Sequence, residues 1–186
     1  MSRRVFASIV LTICTVLFVG MSRVAEADDR PPPSVDYQAQ VVETFKSSAG
    51  GDVLYRRGWW YTERSNEGFG FDKVYHKHNI KDNQIVDAVV RNPGTTEDVG
   101  GGRWVHTGVW QWRQCDVNGN CTVKDQRTVR VVIDYAPWGL APERGQLGIN
   151  TAYCQGDLQC PEWINQLSAR SNFRGGGGVE YVGKGS

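Results

Sequence analysis

In the second half of the chain, apolar and polar residues trade places at every step. "GGGRWVHTGVWQWRQC" alternates, "CTVKDQRTVRVVIDYAP" alternates with Val129, Val131, Ile133 and Tyr135 on one face, and "LGINTAYC" is a third short run. A period of two belongs to strands with one covered face, so these stretches predict an antiparallel meander. The first half carries a longer period. In "YQAQVVETFKSSAGG", Tyr37, Val41, Val42 and Phe45 fall at helical spacing before Gly50 and Gly51, which predicts a helix. In "NIKDNQIVDAVVRNPG", Asn79 is a candidate cap, Ile80, Ile85, Ala88 and Val89 form a stripe, and Asn92-Pro93-Gly94 ends the helix. "DVLYRRGWWYTE" reads as a strand or hairpin arm interrupted by Gly58, and "CPEWINQLSAR" restarts a helix with Pro161 in its first turn. Helices, then antiparallel strands, then a short helix make an α+β domain over residues 37–170. The glycine-rich tail, 171–186, is not expected to pack.

The start of the chain reads as an export signal. Arg3 and Arg4 precede the uncharged run "VFASIVLTICTVLFVG", and small residues surround Glu26 in "AEA" at 25–27. "SRRVF" also resembles a twin-arginine signal, so the export route stays open between that system and the general secretory one. Cleavage after Ala27 leaves 159 residues with 18 basic and 19 acidic side chains, a near-neutral chain without the global field of a non-specific nucleic-acid binder. Residues 28–36, "DDRPPPSVD", read as an extended, mobile spacer. No lipid anchor is expected at Cys14, and no stable membrane association after cleavage.

The four remaining cysteines fit a secreted protein. "CDVNGNC" and "CQGDLQC" each enclose five residues, and the Asn-Gly of the first is a hairpin signal. The expected bonds are Cys115 with Cys121 and Cys154 with Cys160, each worth about 2 kcal/mol in the chain-entropy model. Zinc is the competing use of these thiols, but the C-x-x-C spacing it favours is missing.

The chain has three histidines, and two of them stand in "FDKVYHKHNI": His76 and His78, flanked by Lys73 and Lys77. In a strand they would share a face and could hold a metal together; on a helix they would point apart. A third ligand is not evident, so no metal or cofactor is expected. Placed before a helix N-terminus, a histidine would be held neutral, ready to accept a proton, while the helix amides attract phosphate. Lys73, Lys77 and Arg91 are the candidate cations, and Thr151 and Tyr153, two apart on one strand, offer two hydroxyls on one side. Base, cation and hydroxyls suffice for attack of a ribose 2′-OH on its own phosphate, a nucleophile that DNA lacks.

These elements resemble a known family. "YHKHNI", a helix ending in Arg91 and a meander closing with "TAY" are similar to the metal-independent ribonuclease toxin domains of bacterial competition systems, with the barnase/EndoU-like fold, most nearly their RNase A-like branch. The similarity covers residues 68 to 154. It implies an endoribonuclease without a cofactor, with RNA as substrate and a cognate inhibitor protein as partner. It places the Lys-His pair on Lys77 and His78, the arginine on Arg91, and the hydroxyls on Thr151 and Tyr153. Cys154 stands where such domains often carry proline, and the direct succession of signal and domain implies a free-standing secreted nuclease or a relative that has lost activity. In the active reading His78 is the general base, with His76 or His106 as the acid.

Other readings of the same residues stay open. His78 can be a turn residue, and Arg91 a cation suited to its helix C-terminus. His106 shares strand parity with Trp104, Trp110 and Trp112, either as a stacking platform for bases or as a histidine on the core face. Seven tryptophans, dense in "GWWYTE" and "WVHTGVWQW", also suit a carbohydrate- or cell-wall-binding groove.

Overall fold

A computed structural model describes residues 30–62, 67–166 and 177–183. The expected signal at 1–27 lies outside the described residues, as do 167–170 of the expected last helix and 171–176 and 184–186 of the tail. The described chain is α+β, mostly antiparallel, with few helices.

Its frame is a five-stranded sheet. Strand β3 (Thr95–Gly100) pairs with β4 (Arg103–Cys115), β4 with β5 (Cys121–Pro137), and β5 with β6 (Gln146–Cys154). Strand β7 (Gly177–Val182) pairs with the second half of β4. The tail is thus not wholly unpacked, as its glycines suggested. Val179 is in the core, and Tyr181 lies 5.0 Å from the Trp110 ring. The three strands expected from alternation are β4, β5 and β6. A separate hairpin joins β1 (Val41–Lys46) to β2 (Asp52–Arg56).

That hairpin corrects the first expected helix. Helix α1 (Val35–Ala39) is a single turn, capped by Ser34, and the chain extends at Gln40. Val41, Val42 and Thr44 are β-branched and favour the strand, where only Phe45 is buried. Gly50, at φ +85°, serves the tight turn between strands and not a helix end. The spacer is also partly docked: the Pro33 carbonyl accepts from Gln38 Nε2, and Asp36 pairs with Arg144.

One face of the sheet is sealed. Helix α3 (Asn83–Arg91) lays Ile85, Val86, Val89 and Val90 against Val129, Val131, Ile133, Ile149, Ala152 and Trp110. Asp82, not Asn79, caps α3, accepting from the Gln84 amide at 2.9 Å. Among the described residues, the other face carries no such layer of large apolar residues. A register shift where Val132 faces Thr151 and Ile133 faces Ile149 makes Asn150 a bulge. The bulge lets Ile149 face the core while Thr151 and Tyr153 face outward, although strict alternation would put all three together.

Both expected disulfides form. They suit an oxidising setting. Among the described residues, no helix is long and apolar enough to cross a membrane.

Candidate functional site

The histidine segment is helical. A short turn, α2 (Gly70–Asp72), runs into a π-helical turn at Lys73–Lys77, and His78 follows as its C-cap. His76 and His78 therefore do not sit as neighbours on a strand face, nor directly before a helix N-terminus. The next helix starts at Asn83, so the dipole argument for a neutral His78 fails. Burial provides the neutrality instead. Removal from water, then the nearby charges of Lys77 and Lys73, push the His78 imidazole down to about 4 against the smaller pull of the Leu158 backbone.

The Cys154–Cys160 loop holds this segment against β6. Cys154 ends the strand next to Tyr153. On the other side of the disulfide, the Cys160 amide donates to the His78 carbonyl at 2.9 Å, and Asn79 Nδ2 donates to the Cys160 carbonyl at 2.9 Å. Asn79 takes the left-handed φ of 57° that this reversal needs. As a result the His78 and Tyr153 rings lie 5.6 Å apart.

Across the outer face, strand register sets out a polar row. Tyr153 is opposite Arg130, Arg130 opposite Thr107, and Thr107 opposite Thr95. Side chains directly opposite in an antiparallel pair have Cβ atoms about 5 Å apart, so the row runs from His78 at the sheet edge across four strands. Thr151 lies on the same face beside Val132, two residues from Tyr153. Glu97 approaches Arg130 from β3, with Oε2 3.7 Å from Nη2. Three buried polar atoms here lack a hydrogen-bond partner among the described residues: His78 Nδ1, Thr151 Oγ1 and Arg130 Nε. Such atoms also occur elsewhere, His106 Nδ1 and Trp110 Nε1 on the inner face among them, so the site is defined by the row of side chains and not by these atoms alone.

The structure brings together His78, Thr151 and Tyr153, with Lys73 and Lys77 near enough to act electrostatically on His78. Lys73 is buried, and its ammonium donates to the Gly68 carbonyl at 3.0 Å. Arg91 and His106 lie elsewhere, and the contact described for His76 is with Tyr75, not with this group. Arg91 ends the helix on the inner face and makes an exposed pair with Asp87 at 2.8 Å. His76 is exposed, its ring 4.9 Å from Tyr75. His106 faces inward, opposite Val131, and is 3 % exposed; as Thr107 is on the outer face, its neighbour His106 cannot be, which removes it as an acid for His78.

Arg130 is the residue that motif reading missed. The alternation placing Val129, Val131 and Ile133 inward already puts Arg130 outward, but its pairing with Tyr153 depends on register. The tryptophans do not form an exposed row. Trp59, Trp110 and Trp138 are buried, Trp163 packs on the core with its indole N–H on Asp125 at 2.9 Å, and Trp112 is the exposed one among those described. Among the described residues, no three His, Cys, Asp or Glu side chains gather as a metal site. Comparison with protein-family models, curated proteins and solved structures finds no match to this chain.

Proposed function

We propose that this protein is a secreted, metal-independent endoribonuclease of the toxin-like kind, working on the outer face of its sheet. The observation that carries the reading is the convergence of His78, Tyr153 and Arg130 on one polar row, with Thr151 beside it. A neutral imidazole takes the proton of a ribose 2′-OH; the 2′ oxygen attacks the adjacent phosphorus, and the bond to the 5′ oxygen breaks. Arg130, in place of Arg91, with Lys77 and Lys73 nearby, balances charge on the phosphorane, and the Thr151 hydroxyl steadies a non-bridging oxygen. With His106 on the inner face, the leaving oxygen takes its proton from the Tyr153 hydroxyl. The products are a 2′,3′-cyclic phosphate and a free 5′-OH, and no cofactor takes part. A cognate inhibitor protein would be the expected partner, covering the same face.

The test is incubation of the mature protein with RNA in excess EDTA. Cleavage that survives chelation and is lost in His78→Gln supports the reading. Intact RNA in both, with retained binding to insoluble polysaccharide, assigns the protein to the carbohydrate-binding class, and loss of cleavage on chelation assigns the chemistry to a metal.

A further inference from the structure

The inner face has a second feature that the nuclease reading does not use. Beside the edge of α3, the β1–β2 turn hangs over the sheet and walls one side of an open cavity of about 430 Å³, lined by Ser47, Ser48, Thr96, Trp104, His106 and Tyr135. Small-molecule sites run from about 300 to 1,000 Å³, mostly apolar with a few convergent polar groups.

We infer that this cavity binds a small, uncharged, planar heterocycle of one or two rings that presents an N–H or O–H to His106. The argument stands apart from the outer-face chemistry. His106 is 3 % exposed, and its Nδ1 has no hydrogen-bond partner among the described residues. Burial lowers its proton affinity, while the Val90 backbone carbonyl pulls the other way. A neutral imidazole that donates one N–H to a carbonyl keeps a lone pair on the other nitrogen. That lone pair calls for a donor. The Tyr135 hydroxyl is engaged with Ser47; the Ser48 and Thr96 hydroxyls can add a hydrogen bond, while the buried, unpartnered His106 is the orienting group and the Trp104 indole the stacking surface. Among the described residues, no Lys, Arg, Asp or Glu lines the cavity, so a charged ligand would enter with no described charge to offset its lost hydration.

Saturation-transfer NMR and tryptophan fluorescence with uracil, adenine and indole as probes, benzoate as charged control, and a short oligoribonucleotide as a separate arm, test the inference. At least one neutral probe is expected to saturate in the millimolar range or tighter, with benzoate silent. Trp104→Ala should weaken binding at least tenfold, His106→Phe likewise, and His78→Gln not at all. If His106→Phe fails to fold, Trp104→Ala, at a partly exposed position, decides alone. Absence of saturable binding by every neutral probe overturns the inference. So does binding indifferent to Trp104→Ala, or binding of the oligonucleotide alone that His78→Gln abolishes. Failure here leaves RNA cleavage on the other face unaffected, and loss of cleavage leaves this inference standing.

Discussion

The two faces of the sheet come from the same strands and differ in almost every physical respect. Inward positions of β5 and β6 are Val129, Val131, Ile133, Ile149 and Ala152, all fully buried; outward positions are Arg130, Val132, Thr151 and Tyr153, all partly exposed. The inner face supplies the apolar core, and the outer face presents a row of charged and hydroxyl side chains. Substitutions on the two faces should therefore separate stability from activity.

The largest effect is expected at the outer face. His78→Ala removes the base and should lower kcat on RNA by about 10² to 10⁴, read in a single-turnover cleavage assay. Arg130→Ala should cost about 10² to 10³, yet stay within about 1 kcal/mol of wild type by urea unfolding, as expected for a residue outside the core. Ile149→Ala, two positions from Thr151 but on the inner face, should reverse the pattern: a loss of about 2 to 5 kcal/mol in stability, with kcat changed only as far as the folded fraction falls.

The disulfides sharpen the contrast. Cys115–Cys121 closes an exposed hairpin tip, while Cys154–Cys160 is buried and fixes the backbone of His78 and Asn79. Replacing either pair by serine should cost about 2 kcal/mol. Only the second replacement should lower cleavage per folded molecule, measured by pairing activity with circular dichroism.

His78 has a proton affinity lowered by burial, first, and then by Lys77 and Lys73. The unfolded imidazole, near 6.5, binds protons that the folded one refuses until about pH 4. Its contribution is thus complete above pH 6.5 and is lost as pH falls through about 4. In His78→Gln the decline in stability across that window should be shallower, and the acid limb of wild-type kcat/KM should lie near 4. A limb near 6.5 would show an exposed, ordinary imidazole. The smallest effect is expected at Arg91→Ala, whose exposed pair with Asp87 is screened by water: the urea midpoint and the cleavage rate should both match wild type.

Much of this was legible in the sequence. The alternation in β4 and β5 marks a one-sided sheet, Asn-Gly between Cys115 and Cys121 marks a hairpin, and the apolar stripe marks α3. Tyr37, Val41, Val42 and Phe45 misled because so short a run fits both periods, and the β-branched pair decided for a strand. The position of His78 after its π-helical turn is fixed by the Cys160 amide on its carbonyl, a contact distant in sequence. Arg130 illustrates the same limit. Its outward orientation is local, but its place beside Tyr153 depends on a bulge and a register.

The most direct measurement of the central claim is phosphorus NMR of a dinucleotide held with the protein in excess EDTA, alongside its 2′-deoxy analogue. Appearance of a 2′,3′-cyclic phosphate from the ribose substrate alone, abolished in both His78→Gln and Arg130→Ala, is the predicted result. Cleavage of the deoxy analogue, or cyclic product at the wild-type rate in either variant, would contradict it.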